Sequence, residues 1–334
     1  MWRQLALFSC LLPTMVASLV AQPLPEQRTL PEGLQTVRFH SEAIGRESKY
    51  DIVLPPGYEK GNEEYPVVYL LHGYMQNYTV WGRNLGAAEL ARELGDLILV
   101  MPDAGNSWYL NYASSEESSP NQWEDFIVGD LVGHVDSNFR TISEREGRAI
   151  AGLSMGGYAS VLYGLKYPGH FLSVASSSGA LGFARERAAA LAADEPPRRQ
   201  RPAEVPPAMR EADSAVAAII DIPGFSRQGE RTPPGILFET EEQARANDPF
   251  QLLYTVPKSQ LPHFYLDAGT EDSLSAVTRE FAQILMFNAV PVDFMQAEGG
   301  HDATWWRLSL QRFLPVQHAL LHSALRAQND AEVD

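Results

Sequence analysis

The chain has 334 residues, 45% of them hydrophobic and 10% aromatic, which suits one large packed α/β domain and excludes wholesale disorder. Its 42 Asp and Glu against 26 Lys and Arg leave a formal charge of −16. Nucleic acid and anionic membrane surfaces both repel such a chain, and neither is expected as a partner.

The first element is a targeting segment. Arg3 supplies a positive start, Leu5 to Val20 is largely apolar, and Gln22-Pro23-Leu24-Pro25 ends the run. Broken by Pro13, the run is too short to span a bilayer, so residues 1–21 read as a signal peptide cut after Ala21. The expected location is secreted or periplasmic, with no membrane attachment after cleavage. Cys10, the one cysteine, lies inside that segment, so the mature chain would carry no thiol, no disulfide and no cysteine metal site.

The remainder, 22–327, reads as one domain followed by a polar tail at 328–334. Gln35 to Ile44 and Arg46 to Leu54 read as an antiparallel hairpin turning at Gly45. Pro66 to Leu71 and Leu97 to Met101 are continuous apolar runs, as expected of strands buried on both faces. Between them, 79–94 has helical spacing, and 103–122 is a polar loop. Trp123 to Phe139 reads as a helix with Phe126, Ile127, Leu131 and Val135 on its apolar side. A strand over 148–151, a helix through Leu165 and a strand over 171–175 follow.

Residues 184–246 break the rhythm with Ala-rich stretches, three Pro-Pro pairs and many charges. They read as an insertion, either a spacer or a cap over a site. Strand 263–266, helix 273–288, strand 291–295 and helix 304–324 close the chain. This alternation predicts a mostly parallel sheet with helices on both faces and an antiparallel amino-terminal edge.

One motif carries chemistry. Gly152-Leu153-Ser154-Met155-Gly156 follows a predicted strand and precedes a helix, the pattern of a strained turn that lifts a serine hydroxyl above the sheet. Side chains at Gly152 and Gly156 would collide with the neighbouring strand and helix. A serine hydroxyl needs a base, and the base needs an acid that fixes its tautomer. Of the eight histidines, His301 alone sits in a Gly-rich loop after a late strand. Asp267, Glu271 and Asp272 compete for the acid; Asp272 is favoured, with Asp267 second and able instead to cap backbone N–H groups. The N–H groups of Met155 and of Tyr74, in Leu71-His72-Gly73-Tyr74, are the expected oxyanion donors, and His72 reads as structural.

Five segments in order resemble the esterase D family. They are Leu70-Leu71-His72-Gly73, Met101-Pro102-Asp103 with Asn106-Ser107-Trp108-Tyr109, residues 148–157, Gly269 to Leu274, and Gly299-Gly300-His301-Asp302. The similarity runs from about residue 35 to 315, excluding 184–246. The family includes feruloyl esterases, S-formylglutathione hydrolases and the antigen 85 mycolyltransferases. The resemblance implies an α/β-hydrolase fold, Ser154 as nucleophile, Asp272 as acid, His301 as base, and Trp108 with Tyr109 beside the acyl pocket. Together with the targeting segment, it implies a secreted serine carboxylesterase acting on a small-molecule or polysaccharide-linked ester, acetyl or feruloyl in type, with no cofactor and no metal in the reaction. An antigen 85-type acyltransferase or an S-formylglutathione thioesterase would use the same residues.

Overall fold

The computed structural model describes residues 30–115, 120–197, 199–200, 232 and 234–333. The segment 1–21, read as a signal peptide, Cys10 within it and residues 201–231 of the insertion lie outside the described residues.

Eight strands form one sheet: β1 (Leu34–Ser41), β2 (Arg46–Val53), β3 (Val67–Leu71), β4 (Ile98–Pro102), β5 (Arg148–Leu153), β6 (Ser173–Ser177), β7 (His263–Gly269) and β8 (Val292–Ala297). Their spatial order is β1-β2-β4-β3-β5-β6-β7-β8. β1 and β2 pair antiparallel from Leu34 opposite Val53 to Ser41 opposite Arg46, and β2 runs antiparallel to β4. All later neighbours are parallel. This is the order of an α/β-hydrolase sheet, with the expected antiparallel edge. Strands on both sides of the insertion build it.

The central strands β3, β4 and β5 are buried at every residue, and alternation splits their side chains between two cores. Val67, Tyr69 and Leu71 join Phe126, Tyr158, Phe171 and Phe264 on one face. Val68 and Leu70 join Trp81, Leu99, Trp305 and Phe313 on the other. Each layer is closed by helices carrying large apolar groups, and this two-sided burial fixes where the strand ends point.

The helices depart from expectation in detail. The 79–94 segment divides into a π turn, Val80–Asn84, and α1 (Ala87–Leu94), which begins after Gly86. The 123–139 segment contains a helical turn Trp123–Asp125, a π stretch Phe126–Leu131 and α2 (Val132–Asn138). A π turn repeats more slowly than an α turn, which brings Phe126, Leu131 and Val135 onto one buried side despite their wide spacing. After β5 comes α3 (Met155–Lys166), after β6 α4 (Phe183–Ala192), and after β7 α5 (Ser275–Phe287). The last helix, α6 (Ala303–Val333), carries Pro315 inside it and extends well past the expected end near 324. Among the described residues no helix is long and apolar enough to cross a membrane.

The described ends of the insertion are ordered against the body. α4 packs on the short helix Glu241–Arg245, burying Ala184, Ala188 and Ala244 between them. That short helix starts with a reciprocal cap between Thr240 and Gln243. Gly235–Ile236 pairs antiparallel with Ser114–Ser115 and with Arg199–Gln200. The loop expected over 103–122 therefore carries a short strand that holds the insertion.

Candidate active site

Ser154 stands between the last residue of β5 and the first of α3, with φ 53° and ψ −114°. A non-glycine residue there is strained, and the surrounding contacts hold it. Its N–H donates to Ser177 O at 2.9 Å, and its carbonyl accepts from Ala180 N–H at 3.1 Å. The flanking glycines are required by space. A Cβ on Gly152 would lie 2.2 Å from Gly156 backbone atoms, and one on Gly156 would lie 2.4 Å from Leu71 O. The collisions expected from the sequence are those the fold contains.

Three residues far apart in the chain meet at the carboxyl ends of their strands. The Ser154 hydroxyl lies 3.1 Å from His301 Nε2, and His301 Nδ1 lies 2.9 Å from Asp272 Oδ2. A carboxylate only accepts, so the proton sits on Nδ1 and Nε2 is left to accept from the serine. Burial alone would raise the Asp272 carboxyl. Hydrogen bonds from His301, the Ser178 hydroxyl and the Leu274 N–H outweigh burial and hold it below the usual range. The Leu274 bond is 2.8 Å long. Such an arrangement can draw a proton from the hydroxyl onto the imidazole and stabilise the resulting charge.

Asp267 is elsewhere. Fully buried, it accepts from the Ser177 hydroxyl at 2.8 Å, from Trp305 Nε1 at 2.9 Å and from the Ser309 hydroxyl. Burial, opposed by these bonds, pushes its carboxyl up to about 6. The expectation that Asp267 caps backbone N–H groups is corrected: its partners are side chains. Through Trp305 and Ser309 it pins the start of α6, directly after the loop that carries His301.

The segment after β3 closes the site from the other side. A Cβ on Gly73 would come within 2.6 Å of Leu153 and 3.3 Å of the Ser154 Cβ, so the loop lies directly against the serine. Gly73 N–H donates to Gln76 Oε1 at 2.8 Å, and Met75 N–H to Asn106 Oδ1 at 2.6 Å. Tyr74 is thereby held between two anchored neighbours. Met155 is the buried first residue of α3, where a backbone N–H has no partner four residues back in its own helix. Tyr74 thus stands in the loop packed against Ser154, and Met155 directly follows the serine.

His72 is a buried support. Its Nδ1–H donates to Gly73 O at 2.8 Å, and its Nε2 accepts from Ala104 N–H at 3.0 Å. Burial drops its pKa to about 4, so the ring is neutral. It ties the Gly73 loop to the loop after β4.

Tyr74, in the loop packed against the serine, also lines a pocket of about 210 Å³, together with Trp108, Phe183, Leu191, Leu237 and Phe238. Phe183 stacks on Trp108 with ring centroids 3.5 Å apart and planes 4° from parallel. The structure separates Trp108 and Tyr109. Trp108 lines this pocket. Tyr109 does not: it is fully buried, donates its hydroxyl to His72 O at 3.1 Å, and accepts at its carbonyl from Tyr163. Consecutive left-handed backbones, φ 59° and 58°, turn the two side chains to different levels. The sequence reading missed Phe183, just before the insertion, and Leu237 and Phe238, inside it near its end. Its poverty in large apolar groups drew attention from the few at its edges.

The chain matches the family model described as "Putative esterase" over residues 41–316. Esterase Rv1288 of Mycobacterium tuberculosis is 29% identical over 270 residues, covering 79% of this chain and 54% of that protein. The chain thus spans about half the length of the first curated relatives it matches. An acetyl esterase of Caldicellulosiruptor saccharolyticus is 24% identical over 283 residues, covering 82% of this chain and 93% of that protein. Among solved structures, a ferulic acid esterase superposes with a TM-score of 0.63 at 23% identity, covering 88% of this chain and all of that one. With its sheet order, its strand–serine–helix turn and a family match from 41 to 316, the chain belongs to the esterase family of α/β-hydrolases.

Proposed function

We propose that the protein is a serine carboxylesterase, exported by its 1–21 segment, that cleaves esters through an acyl-serine intermediate. The observation that carries this is the unbroken run of contacts from Ser154 through His301 to Asp272. His301 Nε2 takes the Ser154 proton as the oxygen attacks the ester carbonyl. The tetrahedral oxyanion rests on the Tyr74 and Met155 N–H groups. His301 then protonates the leaving alcohol, and the acyl group remains on Ser154. Water, deprotonated by His301, attacks that acyl group, and collapse of the second tetrahedral species returns the proton to Ser154. Asp272 orients the imidazole and balances its charge in both halves.

The pocket suits a small acyl group. Its volume of about 210 Å³ is below the usual range for drug-sized ligands, and its parallel Trp108 and Phe183 rings favour a short chain or one flat ring. An acetyl or feruloyl-type ester fits that description. The test is a panel of nitrophenyl acetate, methyl ferulate, acetylated xylan and S-formylglutathione, with a fluorophosphonate label mapped by mass spectrometry. Ester turnover with the label on Ser154 is expected. No turnover of any oxygen ester, or a label on another serine, would sink the proposal.

A further inference from the structure

A second cluster of ligating side chains sits at the other end of the sheet. Asp96 lies in the turn before β4, at the amino-terminal end of that strand, whereas Ser154, Asp272 and His301 follow carboxyl ends. His318 and His322 are one turn apart on α6 and share a face. Their rings approach to 4.4 Å between centroids. His318 Nε2 lies 2.5 Å from Asp96 Oδ1, and His322 Nε2 lies 3.3 Å from Asp96 Oδ2. One ligand atom from each residue falls within 4.8 Å of the other two.

The geometry points to a binding site for a late first-row divalent cation, Zn²⁺ being the best match, formed by Asp96, His318 and His322. Three arguments carry it. Two donors about 2.0–2.2 Å from one tetrahedral ion stand roughly 3.3 Å apart, so the cluster needs only small side-chain rotations to take one. The His322 Nε2 is inaccessible and meets no hydrogen-bond geometry although a carboxylate is beside it, as expected of a nitrogen aimed at a shared centre. Two imidazoles with one carboxylate select zinc-like ions over Ca²⁺ and Mg²⁺, which prefer all-oxygen shells.

The cluster lies near the surface, with the His318, His322 and Asp96 side chains 19%, 23% and 51% exposed. The net charge of −16 raises the local concentration of cations. An ion here would fasten the final helix, beyond Pro315, to a turn 222 residues earlier. Its part would be to stabilise the fold, since the site lies apart from the reacting groups.

The test uses the full chain, stripped with chelator and titrated with Zn²⁺, Ca²⁺ and Mg²⁺ in equilibrium dialysis and thermal melts. One zinc per chain and a rise of a few degrees in Tm at saturating zinc are expected, with no response to Ca²⁺ or Mg²⁺. His322→Ala and Asp96→Asn should each weaken zinc binding at least about tenfold and remove the thermal shift, while ester turnover stays at the wild-type rate. Zinc binding that persists unchanged in both variants, no binding up to ~1 mM, or equal binding of Ca²⁺ would overturn the assignment. Should a variant fail to fold, Co²⁺ in the wild type decides. An intense visible band of low-coordinate nitrogen and oxygen ligation supports the site, and the weak spectrum of a hydrated ion refutes it.

Discussion

The serine end of β5 and the wall of the pocket share the loop that carries Tyr74, yet they are built in opposite ways. Ser154, Asp272 and His301 each follow directly on a strand of the rigid sheet, inside a short segment whose spacing sets its geometry. The wall joins Trp108, from the loop after β4, to Phe183 and Phe238, which come from the two edges of the insertion. The first region keeps its shape through strand-end turns and side-chain hydrogen bonds, the second through aromatic stacking and the packing of the insertion's edges. Chemistry is therefore fixed by the sheet, and selectivity is free to vary with the loops.

The largest expected effect breaks the first region. Ser154→Ala should lower kcat by about 10⁴ to 10⁶ without unfolding the chain. Steady-state kinetics with circular dichroism check it, and retention of a tenth of the activity would refute the role. Next, Asp272→Asn should cost about 10⁴ in kcat because it strips the partner that sets the His301 tautomer. Asp267→Asn should instead lower the urea midpoint and leave kcat/KM within about tenfold. The reverse outcome would exchange the two aspartates.

A stability measurement tests the support beneath both regions. His72 has a pKa of about 4 in the fold against 6.5 in the unfolded chain, so the unfolded state binds the extra proton. Its contribution is complete above pH 6.5 and is lost as pH falls toward 4, a span of about 3 kcal/mol. Asp103 and Asp267, both raised to about 6 chiefly by burial, act in the opposite sense, losing stability as pH rises from 3.8 to 6. The wild-type profile is thus partly flattened. His72→Asn should make the chain less sensitive to acid by removing one side of that balance, and urea midpoints at pH 4, 5, 6 and 7 read it directly. An unchanged difference between variant and wild type across that range would mean that His72 does not titrate in this way.

The smallest effect sharpens the contrast. Phe183→Ala should leave turnover of a small acetyl ester within about twofold and lower kcat/KM for methyl ferulate by about tenfold, near 1.4 kcal/mol. Equal losses on both esters would place Phe183 in support of the triad and not of the pocket.

The same contrast explains what could be read in advance. The meeting of Ser154, His301 and Asp272 was legible because a strained turn, a Gly-rich loop and an acidic loop each have distinctive local spacing. The strands were legible because burial on both faces demands unbroken apolar runs. The π stretch at Phe126–Leu131 shows in the sequence as a wide apolar spacing, which helical periodicity alone does not separate from an α-helix. Tyr109 could not be told from Trp108, since only two consecutive left-handed residues send the second ring inward. Phe183 and Phe238 are 55 positions apart in number and meet only through the packing of α4 on the 241–245 helix. The side-chain partners of Asp267 likewise come from two other elements.

The meeting of the insertion's two edges has a consequence for how such a chain can change. α4 lies against the Glu241–Arg245 helix, Gly235–Ile236 pairs with Ser114–Ser115, and Asn106 N–H donates to Thr232 Oγ1 at 2.8 Å. Whatever stretch of chain connects those anchors leaves and returns at nearly the same place. Closing such an excursion costs only about 0.6 kcal/mol more for each doubling of its length. Segments can thus be lengthened, shortened or exchanged there by recombination while the aromatic wall stays in register, so the position is a natural splice point for acquiring new appendages.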